Sequence, residues 1–288
     1  MNRLSLLLLL ICASVLVAAQ PPKRKPANGK QTVGNFLDQQ WWIGLKGGLN
    51  LSQAEPQKRF SAFSPTNYDF AELDKQYDDF NATGSQATLE ITYYYKGFSF
   101  SFQPTYRHSR YTYNNSFNWY NPEQVDERLE LTFDQTQRVT YADLPLLVKY
   151  DLLHNKIRPY VQVGVFYSIL TGADRSIKVS GTDYASGGVN SFTNEPLVVG
   201  TKDLFQSYWG LAGGVGVDYN LGNVRLVLDA TYWRGMSNLT RSDSRYANDQ
   251  LAGIGDVPDD LRLHNIIISA GVLFPTRFLS SSFKSLDR

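Results

Sequence analysis

Three histidines carry most of the acid–base chemistry that this sequence could perform near neutral pH. His108 and His264 fall near the ends of two predicted strands at the same rim, whereas His154 falls in a short link at the other rim. Ser109, Ser269 or a loop aspartate could complete a hydrolase or acyltransferase site there. No local spacing marks a nucleophile beside its base, and a rim histidine is more often an interfacial polar residue. We therefore predict no catalytic residue, and a rim enzyme stays an alternative.

Charged side chains on the polar faces of the predicted strands form a second candidate group. Both signs occur in similar numbers. Because an unpaired buried charge is costly, we expect these groups to pair with one another inside a narrow barrel. An ion pathway or a binding site is the alternative. The group consists of Lys46, Glu90, Arg107, Asp143, Lys149, Asp218, Arg225 and Asp229.

Cysteine and charge usage exclude several classes of site. The single cysteine, Cys12, lies in the N-terminal apolar run, so the rest of the chain has no thiol, disulfide or cysteine metal site. No spacing of calcium-ligand type occurs in the loops. We predict no cofactor-binding residue and no metal ligand. Without Arg3, the 28 basic residues become 27, which equals the 27 acidic residues. This balance gives no reason to expect a nucleic-acid partner.

The N-terminus has the pattern of a secretory signal peptide over residues 1–19. A basic start precedes an apolar run from Leu4 to Val17, and small residues lead to a predicted cleavage after Ala19. A membrane-spanning helix is the rival interpretation, but the run is short and prolines follow at once. Residues 20–40 are polar and predict a flexible periplasmic leader. Residues 276–288 predict a polar periplasmic tail.

The chain between these ends alternates with a period of two, which is typical of β-strands. Residues 205–234 show it best, as two arms that each have one apolar face and that meet at a tight turn over 220–223. Aromatic residues, at 14% of the chain, also favour strands. Pro145 predicts a local bulge or kink. The predicted strands are 41–52, 86–96, 98–113, 136–152, 158–170, the two arms of 205–234, and 263–275.

The connections alternate between short turns and long polar segments. The long ones are predicted as loops over residues 53–85, 114–135, 171–204 and 236–262. Short turns at one rim and long loops at the other are the layout of an outer-membrane barrel. The sequence therefore predicts an all-β fold over residues 41–275. This fold is an eight-stranded antiparallel up-and-down transmembrane β-barrel with four long extracellular loops and short periplasmic turns.

Alternation alone does not say whether the apolar face meets lipid or a ligand, since lipocalin-type barrels also have eight strands. Two features favour lipid. The polar faces are mostly small uncharged residues, which suit a tight interior, and aromatic residues gather at both ends of the strands, as at the two membrane interfaces. Trp41, Tyr93, Tyr219 and Phe274 are among those at the short-turn rim. Tyr106, Tyr167, Trp209 and Tyr232 are among those at the long-loop rim.

The segment YADLPLLVKYDLL, ahead of a short turn, resembles a motif of the PorT-like outer-membrane β-barrel proteins of Bacteroidota. Its matching residues are Tyr141, Asp143, Leu144, Pro145, Leu146, Leu147, Val148, Lys149 and Tyr150. The resemblance spans residues 41–274. It implies an integral outer-membrane protein and brings no cofactor and no reaction with it. One namesake of the family is linked to protein secretion and gliding.

These observations predict a structural or interaction role, of which an envelope-assembly adaptor is one form. The alternatives are an accessory of a PorT-type secretion or gliding system, a narrow pore and the rim enzyme. Expected partners are outer-membrane lipid and lipopolysaccharide, and other envelope proteins through the long outer loops. Those loops carry 20 acidic and 10 basic residues, a net charge of −10. The first loop contains the aromatic residues Tyr68, Phe70, Tyr77 and Phe80 among acidic ones. We expect these to pack within the loops, and a protein-binding surface is the alternative. The oligomeric state stays open.

Overall fold

The computed structural model describes residues 39–60 and 75–276, apart from 125, 154, 187, 222–223 and 253–255. The predicted signal peptide, nearly all of the predicted leader, and the predicted tail after residue 276 lie outside the described residues. So do Tyr68, Phe70 and His154.

The described chain is built almost entirely from strands that belong to one antiparallel sheet. The short helical pieces are two 3-10 turns, Lys202–Leu204 and Ser242–Ser244, and one α-helix, Asp249–Ala252. Among the described residues, no helix is long and apolar enough to span a bilayer. The strands are β1 (Gln39–Lys58), β2 (Gln76–Tyr77), β3 (Ala82–Tyr95), β4 (Phe98–Phe102), β5 (Thr105–Tyr120), β6 (Arg128–Asp151), β7 (Ile157–Asp183), β8 (Asn190–Thr193), β9 (Leu197–Gly200), β10 (Tyr208–Asn220), β11 (Arg225–Gly235) and β12 (Asp260–Pro275).

The sheet closes on itself because β1 pairs with β3 on one side and with β12 on the other. Going round from β1, the ring passes through β3, the β4–β5 pair, β6, β7, β10, β11 and β12. β4 and β5 keep one register and are separated only at Gln103 and Pro104, because proline has no N–H to donate. The prediction of an all-β antiparallel fold is confirmed. The predicted count of eight strands becomes twelve strands around a ring of eight positions.

The faces of this ring have the reverse polarity of a water-soluble barrel. Side chains on the outer face are apolar and exposed, as at Leu45 (69%), Val163 (64%) and Leu228 (57%). Side chains on the inner face are polar and buried, as at Lys46 (5%) and Glu90 (0%). The predicted alternation was therefore correct about which residues share a face.

One irregularity at the loop end changes the phase of β7. Thr140 pairs with Gly172 and Tyr141 pairs with Leu170, so Thr171 is an extra residue without a partner in β6. Its Oγ1 donates a hydrogen bond of 3.0 Å to the Thr140 carbonyl oxygen. Such a β-bulge makes the residues beyond it point to the opposite face from the one that the earlier alternation indicates.

Two of the predicted long loops are wrong. Most of 114–135 is strand, since β5 continues to Tyr120 and β6 begins at Arg128. Much of 171–204 is strand as well, because β7 continues to Asp183 and is followed by β8 and β9. The loops were predicted from the polarity of these segments. A sheet in contact with water forms its backbone hydrogen bonds whatever the polarity of its side chains, so polarity does not exclude strands.

The irregularity expected at Pro145 lies in the neighbouring strand instead. Pro145 keeps regular register with Phe166 of β7, whereas the gap between β4 and β5 falls opposite Leu144 and Pro145. The N–H of Gln103 still donates to the Pro145 carbonyl oxygen over 3.2 Å.

Gly216 should tolerate no side chain, because it faces inward onto the Tyr160 ring. A Cβ at Gly216 would overlap that ring, whereas the nearest atom to a Cβ at outward-facing Gly213 is the Gln162 carbonyl oxygen at 4.0 Å. We expect Gly216→Val to lower the free energy of unfolding by about 1–3 kcal/mol through overpacking. Gly213→Val is the matched control and should change it little. Urea unfolding of the protein refolded in lipid measures both, and equal effects would contradict the assignment of the two faces.

Candidate functional site

The polar interior is the first candidate site, and the structure places all eight predicted charges there. Each has at most 5% of its surface exposed. Each also forms an ion pair with another member of the group. The predicted mutual pairing is therefore what the geometry shows. The residues are Lys46, Glu90, Arg107, Asp143, Lys149, Asp218, Arg225 and Asp229.

A network centred on Lys46 crosses the interior from wall to wall. The Lys46 Nζ lies 2.9 Å from Glu90 Oε2 and 2.8 Å from Asp229 Oδ2. The second Glu90 oxygen, Oε1, accepts from Lys149 Nζ over 2.6 Å. These residues come from β1, β3, β11 and β6, so strands on different sides of the ring are joined through charge-assisted hydrogen bonds.

Nearer the loop end, Arg107 of β5 forms a second cluster with Asp143 of the YADLP segment. Its Nε and Nη2 donate to the two Asp143 oxygens over 2.7 and 3.0 Å, a bidentate pair. Nη2 also donates to the Tyr208 hydroxyl over 2.9 Å. Ser168 donates to Asp143 Oδ1 over 2.5 Å. The guanidinium and the carboxylate are thus both held by neighbours on other strands.

At the short-turn end, two further arginines close the interior. Arg225 donates to Asp218 over 3.1 Å and stacks on the Trp42 ring at 4.2 Å. Arg158 lies 3.5 Å from Asp151. This last pair was not predicted, because Asp151 and Arg158 flank a predicted turn and neither was assigned to an inner face.

At the loop end, residues 256–259 cross the interior and are fully covered; we call them the closing segment. Lys75 Nζ lies 3.2 Å from Asp256 Oδ1 and 3.4 Å from Asp259 Oδ1. Arg175 of β7 contacts the other Asp256 oxygen. The Tyr77 hydroxyl donates to Asp259 over 2.8 Å. Tyr77 therefore packs inward under the loops, as the loop-packing interpretation expects, and not on a protein-binding surface.

The closing segment was not predicted, because Lys75, Arg175 and Asp256 all fall in segments interpreted as loops. A signal was present for Arg175. It alternates with Asp174 and Ser176 just as Ile177 and Val179 alternate with their neighbours, which is the pattern of a continuing strand. The bulge at Thr171 directs this side chain inward.

The pKa of Asp256 is lowered below its ordinary value of 3.8. Burial by itself raises this pKa, but the positive charges of Arg175 and Lys75 outweigh burial. Asp256 is therefore a carboxylate at neutral pH, and its charge stabilises the closed arrangement.

The histidines and serines named for a rim enzyme are not brought together. His108 is exposed on the outer face, where its Nδ1 lies 2.9 Å from Thr140 Oγ1. His264 occupies an outward position by the same alternation but is buried, and its Nε2 lies 2.8 Å from Glu55 Oε2. Ser109 and Ser269 lie on the inner face, where Ser109 contacts Asn50 and Asn265, and Ser269 donates to Asp229. Neither histidine is hydrogen-bonded to a serine within the described residues.

No group of three or more His, Cys, Asp or Glu side chains in the described part of the chain could hold a metal ion. The interior charges instead use their hydrogen-bonding capacity on one another. What the arrangement does chemically is hold the strands in register and keep the interior closed.

Comparison with known proteins shows the family. Residues 19–241 match the family model described as outer membrane protein beta-barrel domain. The chain belongs to that family.

Several solved structures of outer-membrane barrels are similar to this family member in fold only. Neisserial surface protein A shares 14% identity over 81% of this chain and 96% of its own, with a TM-score of 0.31. Outer membrane protein W of Escherichia coli shares 13% over 83% and 98%, with a TM-score of 0.31. The outer membrane protease OmpT of Escherichia coli shares 12% over 82% and 95%, with a TM-score of 0.30. No functionally curated protein matches the sequence.

Membership of the outer membrane beta-barrel family explains the reversed polarity of the faces. The exposed apolar side chains contact lipid, and a lipid-facing surface of a membrane barrel is apolar. The interior then has neither lipid nor bulk water in contact with its charges, so their partners are other side chains.

Glu90 should be the residue whose loss most disturbs the interior, because it neutralises Lys46 and Lys149 together. Glu90→Gln leaves both ammonium groups without this carboxylate. We expect it to lower the free energy of unfolding by about 3–5 kcal/mol, the usual cost of breaking a buried pair. Urea unfolding in lipid measures it, with Glu195→Gln on an exposed loop as the control. A loss for Glu90→Gln no larger than that of the control would contradict the network.

Asp256 should make loop-end stability depend on acid pH. Its folded pKa lies below the unfolded value near 3.8, so its contribution is complete above that value and is lost as the pH falls through the folded pKa. We expect wild type to unfold at a higher temperature than Asp256→Asn near neutral pH, and this gap to narrow below about pH 4. Exposed Asp243→Asn is the control. A gap that stays constant down to about pH 2 would exclude the linkage.

Proposed function

We infer that the chain is an integral outer-membrane protein that spans the bilayer as an eight-position barrel and presents a β-sheet outside the cell for interaction. The observation that carries this inference is the extension of β5, β6 and β7 beyond the loop-end aromatic residues. We call this part the blade, which consists of residues 111–120, 128–139 and 172–183 with β8 and β9. Its inner face near the barrel, with Tyr111, Tyr113 and Ile177, is buried, whereas its far end has no buried residue.

The blade is a continuous sheet over most of its length. Pairing of β6 with β7 continues from Val139 opposite Ala173 to Leu129 opposite Asp183, and β5 follows β6 to its end. At about 3.3 Å per residue, the blade part of β6 extends roughly 40 Å along the strand. A structure of this size ordered by backbone hydrogen bonds is suited to present side chains to a partner.

Exposed apolar side chains on the blade support an interaction role. Val198 is 59% exposed, Trp119 38% and Phe192 37%. These residues lie beyond the lipid-facing band, where burial in the bilayer does not account for their exposure. These side chains are available for contact with a partner, and binding surfaces are those on which such groups form a contiguous patch.

The closed interior supports an interaction role over transport. Ion pairs fill the barrel at both ends and at its centre, and the closing segment covers the loop end. An ion could pass only by breaking buried pairs, which is costly. The proposed partners are outer-membrane lipid, lipopolysaccharide and other envelope proteins.

A PorT-like assignment within the family is part of this proposal. It is supported by the residues of the YADLPLLVKYDLL segment, which supply Asp143 and Lys149 to the interior and Tyr150 to the outer face. The proposal covers an adaptor role in an envelope assembly, with the secretion accessory as its specific form.

One pair of cysteine variants tests both the orientation and the interaction. The chain has one cysteine, Cys12, in the predicted signal peptide, so an added thiol should be unique in the mature protein. We expect a membrane-impermeant thiol-reactive photo-crosslinker to attach to Ser191→Cys in β8 on intact cells. At Asn155→Cys, in the short link, it should attach only after the outer membrane is permeabilised. Illumination should then give a discrete adduct from Ser191→Cys. Labelling of both sites on intact cells would contradict the orientation, and labelling without any adduct would contradict the interaction role.

A further inference from the structure

A row of basic side chains lies directly beyond the loop-end aromatic residues on the outer face of the barrel. On β5, Tyr106, His108 and Arg110 occupy successive outward positions, and all are exposed. The rings of Tyr106 and His108 pack edge to face with their centroids 5.0 Å apart. Along this strand the outer face thus changes from aromatic to histidine to arginine as it leaves the apolar band.

The neighbouring strand places a second arginine beside the first. Arg110 of β5 is directly opposite Arg138 of β6, which is opposite Asp174 of β7. Arg138 lies 3.4 Å from Asp174, an exposed pair. Arg110 forms no ion pair with any described residue. The row of Arg110, Arg138 and Asp174 therefore has a net charge of +1. Like charges directly opposite each other, as Arg110 and Arg138 are, destabilise a sheet.

The imbalance is confined to that row. The next row, away from the apolar band, consists of Thr112, Thr136 and Ser176, and the one charge beside it is the Asp78 carboxylate, which accepts from the Thr112 hydroxyl. In the row after it, Asp134 is opposite Lys178, so the charges balance. The excess positive charge therefore lies just outside the apolar band and not on the blade in general.

The opposite wall repeats the arrangement. Arg234 follows Tyr232 on the outer face of β11 and is opposite His264 of β12. His264 stacks on Tyr232 with the ring centroids 6.2 Å apart. Arg262 of β12 is opposite Glu55, which accepts from His264 over 2.8 Å when the imidazole donates. Two arginines and a histidine here face one carboxylate.

The level of these arginines identifies the chemistry that suits them. Aromatic girdles lie at the interface of a bilayer, so side chains just beyond them meet lipid headgroups. A guanidinium binds a phosphate group through two parallel hydrogen bonds, and this geometry favours arginine over lysine at such sites. A free phosphate ion can contact the arginines only. A lipid can place its phosphate on the arginines and its acyl chains on the adjacent apolar band.

We propose that Arg110, Arg138, Arg234 and Arg262 form a collar that binds the phosphate groups of anionic lipid in the outer leaflet. The Arg110–Arg138 pair is its principal site, because an anion there removes the repulsion between the two arginines. The collar rests on the proposed function, since it needs the barrel to span the membrane with the blade outside. It gives the expected lipopolysaccharide contact a location on the barrel wall, while the acidic loops lie beyond it.

The test compares lipid binding by three forms of the full-length mature protein. These are wild type, the Arg110→Gln/Arg138→Gln double variant, and Arg128→Gln. Arg128 is an exposed arginine at the far end of the blade, 2.9 Å from Glu130, and is the matched control. Each form is inserted into phosphatidylcholine vesicles with a small fraction of bis-phosphorylated lipid A. Native mass spectrometry then measures the lipid A retained. Parallel samples contain lipid A without its phosphates, or added inorganic phosphate.

We expect the double variant to bind bis-phosphorylated lipid A roughly thirtyfold more weakly than wild type, as expected for two lost surface charges. Arg128→Gln should bind like wild type, and lipid A without phosphates should bind all forms weakly. Equal binding by wild type and the double variant, or an equal loss in Arg128→Gln, would overturn the collar. Displacement of lipid A by millimolar inorganic phosphate would overturn the choice of a lipid.

Two controls separate this inference from the proposed function. Heat-modifiable gel migration in pure phosphatidylcholine shows whether each form is folded, and the conservative change to Gln on an exposed face should leave it intact. If wild type does not insert into phosphatidylcholine at all, the proposed function fails and the collar with it. If wild type inserts but shows no preference for phosphorylated lipid, the collar alone is overturned.

Discussion

The structure depends on one constraint, which is that a charge inside the barrel must be neutralised by another charge inside it. The outer face meets lipid and the interior is too narrow for bulk water, so neither surrounding can solvate Lys46 or Glu90. Each buried charge therefore needs an opposite charge close to it, often on a strand distant in sequence. The Lys46–Asp229 pair joins β1 to β11, and Lys149–Glu90 joins β6 to β3. The ring is held by its backbone ladder, while the internal charges favour one register over others.

The same strands pass through two environments along their length. In the bilayer, closure of the ring gives the backbone groups of each described strand partners on both neighbouring strands, which a spanning sheet requires. Beyond the aromatic residues that requirement ends. The inner face of the blade near the barrel, with Tyr113 and Arg175, packs on Asp256 of the closing segment, and only the far end of the blade is free of buried residues. The collar arginines lie where one surrounding gives way to the other. Ring closure, internal charge pairing and the proposed interaction surface thus belong to one sheet.

Much of the ring could be predicted from the sequence because lipid imposes a strict alternation. Lys46, Arg107 and Asp229 were assigned inward on that alternation alone, and they are buried. The same rule should have separated His108 from Ser109, since adjacent strand residues point to opposite faces. Which charges pair could not be predicted. Pairing depends on how far each strand is staggered along its neighbour, and no local pattern encodes that stagger.

The blade and the closing segment were harder to predict because their polar side chains give them the composition of loops. Polar stretches such as 114–120 have the composition of a loop, although β5 is ordered there by its hydrogen bonds to β6. The contact of Arg175 with Asp256 needed two facts at once: that β7 continues past Leu170, and that its phase has changed.

The unpaired Thr171 of β7 has a consequence for how the sequence can vary. Upstream of it, odd-numbered residues of β7 face lipid and are apolar. Downstream of it, odd-numbered residues face inward and must suit the closing segment. A single inserted residue therefore separates two parts of β7. Even-numbered residues face inward before it, and odd-numbered residues face inward after it. Substitutions on either side can accumulate separately, but loss of that one residue would turn Arg175 out of the protein and Asp174 into it.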